Sequence, residues 1–284
     1  MRQIVFASLL LIAASLQGFA QTATVTPRLM GYINDKKLKE ASGIASSVPL
    51  KNCYWSHNDS GNKPDVFLLN NKAEVISVLT IENGTNRDWE DIAEGAGPVK
   101  GKYYVYVADI GDNSGTRDHV RIYRFPEPAS KPQSKGSISA DVLKLEYPDH
   151  PKDAESLMID PISRQIYIIS KRQKAVHLYK TSLDFKDGDK TTLQKLITLP
   201  FTWVVSADIS KDGHHIILKT LTTVYYWRRK TGETVEQAMA RPGKQLPYQP
   251  EAQGEAITIT TDNSGYVTIS EGKAAPMFFY KWKF

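Results

Sequence analysis

The sequence predicts an all-β fold, a five-bladed β-propeller of four-stranded blades, on three observations. After residue 20 no segment carries helical periodicity, whereas short runs rich in β-branched and aromatic residues recur between turn signals. One unit is found five times, opening at Ser42, Glu90, Glu155, Ala207 and Glu255, with offsets of 48, 65, 52 and 48 residues. Each unit holds material for about four strands, which at this spacing is the signature of a propeller. A β-sandwich would not explain five matched units, and a sixth unit is not found.

The first strands are Ser42–Ala45, Glu90–Ala93, Glu155–Met158, Ala207–Ser210 and Glu255–Thr258. A turn such as Lys211-Asp212-Gly213 follows each, and then a second strand, ending at His57, Asp109, Lys171, Lys219 and Glu271. Third strands are expected at residues 66–69, 120–125, 176–179, 224–227 and 277–280, and fourth strands at Val75–Ile81, Val142–Tyr147, Leu193–Leu199 and Val235–Ala240. The fifth unit has no fourth strand before Phe284, so the unassigned strand Arg28–Ile33 is expected to complete it and close the ring without a frayed edge.

Ahead of the units, Arg2, the eleven-residue apolar run Ile4–Ala14 and Gly18-Phe19-Ala20 read as a secretory signal peptide. The run is shorter than the roughly 20 residues of a membrane span. The expected organisation is a signal peptide at 1–20 and one propeller domain at 21–284, secreted or periplasmic. Lys plus Arg number 36 against 31 Asp plus Glu, a net charge of +5. That balance excludes a disordered polyelectrolyte and gives no reason to expect nucleic acid or a membrane as partner. Cys53 is the single cysteine, so no internal disulfide forms, and its apolar neighbours make it a structural thiol.

In a propeller the first strand of every blade lines the central channel, and its start shares a rim with the end of the antiparallel second strand. Residues far apart in sequence therefore converge. The rim is expected to gather Asp88, Glu90, Glu155, Asp208, Glu255, Asp109 and Glu271 against only Lys171 and Lys219. Two like charges 4 Å apart repel by about 4 kcal/mol at an effective dielectric of 20, so such a ring must hold a cation, raise its pKa values or spread into water. Hard oxygen donors favour Ca2+, or Mg2+, over zinc. Glu90, Glu155, Asp208 and Glu255 are the expected ligands. His57 fits a general base, a metal ligand or a turn residue. The loops at His57–Asn62 and Asp109–Gly115 are rich in oxygen-bearing side chains, which also simply make turns. Trp89, Trp203 and Tyr248 lie near the same rim, either as wedges between blades or as a platform for a sugar or other ring.

The strings Ala41–Ala45 (ASGIA), Trp55–Gly61 (WSHNDSG), Asn86–Ala93 (NRDWEDIA), Asp109–Asn113 (DIGDN), Ile122–Pro128 (IYRFPEP), Asp153–Leu157 (DAESL) and Gly254–Ile257 (GEAI) resemble a group of secreted bacterial β-propeller proteins similar to the esterase-like phytase type propellers. The likeness spans nearly the whole chain after residue 20 and implies the same fold. Lys219 departs from the arginine expected in that family.

These readings lead to a divalent-cation-dependent hydrolase of an ester or phosphoester. His57 and Asp109 would handle protons and Glu90 would serve as ligand or base. Lys171, Arg172, Lys219 and Asn58 would hold the substrate. The alternatives are a non-catalytic propeller that binds a glycan or protein, and glycoside hydrolysis by paired carboxylates. The expected ligand is a small molecule or a glycan.

Overall fold

The computed structural model describes residues 26–282. The segment read as a signal peptide lies outside the described residues. The chain forms five sheets, each winding outward from an innermost strand. The sequence begins with β1 (Arg28–Ile33) and continues into blade 1, made of β2 (Ala41–Ser46), β3 (Cys53–Asn58), β4 (Asp65–Asn70) and β5 (Val75–Ile81). Blade 2 is β6 (Trp89–Ala96), β7 (Tyr103–Asp109), β8 (Val120–Pro126) and, after an excursion through β9 (Lys135–Ile138), β10 (Asp141–Glu146). Blade 3 is β11 (Ala154–Asp160), β12 (Gln165–Ser170), β13 (Val176–Ser182) and, after β14 (Lys190–Thr192), β15 (Gln194–Leu199). Blade 4 is β16 (Val204–Ile209), β17 (His215–Thr220), β18 (Val224–Arg228) and β19 (Lys244–Leu246), with the short helix α1 (Val235–Met239) before β19. Blade 5 is β20 (Gly254–Ile259), β21 (Gly265–Ser270) and β22 (Ala275–Lys281).

The N-terminal strand β1 pairs antiparallel with β22 and supplies the outer strand of blade 5, as the sequence leads one to expect. The innermost strands β2, β6, β11, β16 and β20 neighbour one another in that order, and β20 returns to β2, so the ring is closed. Every large apolar cluster lies between two adjacent blades. Trp55, Trp89, Val107 and Phe125 fill the joint of blades 1 and 2. Tyr106, Ile122, Leu157 and Ile168 fill the next, and equivalent sets fill the remaining three. Burying one such side chain contributes about 1.5–3 kcal/mol. The inner strands are thereby fixed against each other, and so are the side chains at their ends.

The structure differs from the sequence reading in two ways. Val235–Ala240 is not the fourth strand of blade 4. Residues Val235–Met239 form α1, capped by Thr234, whose hydroxyl accepts from the Gln237 N–H while the Gln237 side chain accepts from the Thr234 N–H. The helix buries Val235, Ala238 and Met239 between blades 3 and 4, and the three-residue strand β19 takes the outer place instead. In addition, β9 and β14 each leave their own blade and pair in parallel with the outer strand of the preceding one, β5 and β10 respectively. They cover edges that would otherwise be open.

Candidate functional site

Each innermost strand carries a β-bulge at the same place in its pairing with the second strand. The bulged residues are Ser42, Glu90, Glu155, Val205 and Glu255. A bulge leaves one residue unpaired and re-aims its side chain, as is common at rims and sites. Two residues before the bulges stand Glu40, Asp88, Asp153, Trp203 and Gln253, and just past the paired end of the second strands stand Asp59, Ile110, Lys171, Leu221 and Glu271. Blades 5, 1, 2 and 3 thus bring acids to one channel mouth, while blade 4 brings none.

The acids touch. Carboxylate oxygens of Asp59, Asp88 and Glu90 lie within 4.8 Å of one another, and so do those of Glu90, Asp153 and Glu155. Glu90 belongs to both groups. It is only 4% exposed, and among the described residues its carboxylate has neither a hydrogen bond nor an ion pair. Burial, followed by the charges of Asp59 and Asp88, pushes its pKa well above the usual carboxylate range. Burial and then Asp59 push Asp88 up to about 6. Burial also raises Asp59, with Glu255 and Glu40 adding to the effect. Gly111 closes this cradle from the side: a Cβ there would collide with Glu90 Oε1 and the Asp88 carboxylate.

The second group already has cations. Lys171 Nζ contacts Glu155 Oε1, and Arg172 pairs with Asp153 and donates to Asn113 Oδ1. The Asp59–Asp88–Glu90 group has no ion pair among the described residues; the charge of Lys171 acts on Asp59 and Glu90, and that of Arg117 on Asp88, without outweighing burial. Further round the mouth, Glu255 and Glu271 sit side by side. Burial and the neighbouring Glu255 raise Glu271 to about 8.

Several residues expected at the mouth are placed elsewhere. His57 is fully buried between blades 1 and 2. Its Nδ1 lies 2.9 Å from the Asn58 carbonyl and its ring packs edge-on against Trp89. Burial lowers its pKa to about 4, so it is neutral and out of contact with the mouth. Asp109 is fully buried, ion-paired with Arg117 at 2.8 Å and accepting from the Asp88 N–H at 3.1 Å. Asn58 is consumed by backbone: Oδ1 accepts from Lys39 and Glu40 N–H, and Nδ2 donates to Lys37 O.

Asp208 lies three residues beyond the blade 4 bulge, about 10 Å deeper at 3.3 Å per residue. There it accepts from Thr258 Oγ1 and the Ile259 N–H of blade 5. Asp91, which the sequence reading left out, does the same between blades 2 and 3 by accepting from the Leu157 N–H at 2.9 Å. Lys219 is also below the mouth. It donates to the carbonyls of Gly254 and Thr220 and lies 4.5 Å from the Tyr248 ring centroid, and burial lowers its pKa to about 8. Lys171, Arg172, Glu90, Glu155 and Glu255 are at the mouth. Asp59, Asp88 and Asp153 join Glu90 and Glu155 there as potential ligands. For Asp88 and Asp153 the signal in the sequence was the Asp-x-Glu spacing, at Asp88/Glu90 and again at Asp153/Glu155.

Among the described residues no helix is long and apolar enough to cross a membrane. No protein-family model matches the chain, and no curated protein matches it. The resemblance to esterase-like phytase type propellers therefore rests on its motifs, and the structure supports its coarse part, the five-bladed ring.

Proposed function

We propose that the protein is an exported hydrolase of an ester or phosphoester that uses a divalent cation, calcium in the first instance, held by Asp59, Asp88 and Glu90. The observation that carries this reading is Glu90: an enclosed carboxylate without hydrogen bond or ion pair, facing two further acids. Three carboxylates so close cannot all be ionised at neutral pH without a counter-charge, and an all-oxygen set suits a hard cation. Glu155 and Asp153 are less suited to hold it because Lys171 and Arg172 already neutralise them.

A calcium held there would polarise an ester or phosphoester oxygen and lower the pKa of a water. The chain's own groups do the rest. The Arg172 side chain, 38% exposed, is available to orient an anionic group. Glu271, whose pKa is raised by burial and by Glu255, would be the proton donor to a leaving oxygen. Asp109, through Arg117 and the Asp88 N–H, keeps the Asp88 backbone in place.

A panel of aryl phosphates and aryl carboxylate esters tests the reading. Turnover that requires calcium, stops with chelator and falls at least a hundredfold in Glu90→Gln, an effect on the scale of about 10²–10³ for a lost charge-stabilising group, is expected. Turnover indifferent to Glu90→Gln would contradict it. The burial of His57, which takes the expected general base out of reach of the mouth, favours a second reading, a non-catalytic binding propeller. Calcium binding without turnover of any ester would support that reading instead.

A further inference from the structure

The five mouth positions are equivalent by register, so their differences carry information. Two residues before the bulge, blades 1, 2 and 3 carry Glu40, Asp88 and Asp153, while blade 4 carries Trp203. The other two mouth positions of blade 4 are Val205 and Leu221. One sector of an otherwise charged mouth is therefore apolar and ends in an indole that is 43% exposed.

The backbone at Trp203 has φ +54°, the left-handed region that bulky residues rarely adopt. Such a conformation persists only where the surroundings over-determine it, and it concentrates at functional sites. Here the Trp203 N–H donates to Lys171 O at 2.8 Å. Arg172 Cζ and Lys171 Nζ lie over the indole at 5.0 and 5.8 Å from its centroid. These two cations are the ones that contact Asp153 and Glu155. The indole is thus one side chain away from the acidic group, joined to it by donors suited to an anion. Of the other two aromatic residues near the rim, Trp89 is fully buried and Tyr248 is half-buried, whereas Trp203 is exposed.

We propose that Trp203 is a stacking platform and that the molecule bound at this mouth carries a ring bearing an anionic ester group, the ring lying on the indole and the anion meeting Arg172 and Lys171. This rests on the hydrolase reading above and names its substrate class, ring-bearing phosphoesters, whether aryl or glycosyl.

The test is calorimetric binding of three probes, phenylphosphonate, glucose 1-phosphate and methylphosphonate, in calcium buffer, with calcium itself titrated in parallel. At least one ring probe is expected to bind roughly threefold to tenfold tighter than methylphosphonate, the scale of one aromatic contact. Which of the two does so distinguishes aryl from glycosyl. Trp203→Gly, which suits a left-handed φ and so keeps the fold, is expected to abolish that preference, and Trp203→Phe to retain most of it. Ring and ringless probes binding alike, no probe binding, or a preference that survives Trp203→Gly would each overturn the proposal. If calcium fails to bind while the ring preference is present and lost in Trp203→Gly, the cation reading falls and the platform stands. If calcium binds and the preference is absent, the platform falls on its own.

Discussion

A buried side chain's protonation is set by what surrounds it, and at this mouth neighbouring positions receive opposite treatment. Glu90 is enclosed with other acids, whereas His57, on the adjacent blade, is enclosed with Trp89 and the backbone of Asn58 and Asp91. For His57 the consequence is measurable. Its pKa is about 4 in the fold against an ordinary 6.5, so between these values the unfolded chain takes up a proton that the folded chain refuses. Its contribution to stability is therefore complete above pH 6.5 and is lost as the pH falls toward 4, by at most about 3 kcal/mol. Urea unfolding at steps from pH 7 to pH 4 should show wild type losing more stability than His57→Asn; parallel losses in the two proteins would contradict the burial account.

How the residues read from sequence is instructive. The acid-rich mouth was legible because Glu90, Glu155 and Glu255 recur at matched places, and all three are bulge residues. Asp208 and Lys219 were not, because the fourth unit had been aligned two residues too deep on both strands: its mouth residues are Val205 and Leu221, not Ala207 and Lys219. A slip of two preserves which face each side chain occupies, so alternation cannot reveal it. His57 is the same slip on the second strand of blade 1, whose mouth residue is Asp59, and the polar loop after it gives no sign that the neighbouring blade covers the ring.

At the scale of elements, the strands followed from their β-branched and aromatic runs, and β1, β5 and β8 lie within a residue of where the pattern puts them. The exception, α1, had a readable signal in Thr234-Val235-Glu236-Gln237, a capping box, but Val235 and the apolar residues after it also fit a strand. β9 and β14 are short and polar, and their pairing to another blade depends on a neighbour that local sequence does not specify. The cap can be tested directly. Thr234→Ala is expected to lower global stability by about 1 kcal/mol, read from the shift of the urea midpoint. No shift would mean that burial of Val235 and Met239 holds this turn without its cap.

At the scale of the whole molecule, closure by β1 on β22 and the interblade cores make the mouth a rigid frame in which five strand ends cannot separate to relieve charge. The frame forces Asp59 of blade 1 against Asp88 and Glu90 of blade 2, and a cation is the simplest relief. A ligand that binds only the folded ring adds about 2.7 kcal/mol at one hundred times its dissociation constant. The most direct measurement is a calorimetric titration of calcium into chelator-treated protein, wild type and Glu90→Gln side by side. Saturable binding to wild type, weakened at least tenfold in Glu90→Gln, is the expected result. No binding to wild type, or equal binding to both, would contradict the claim that the mouth is a cation site.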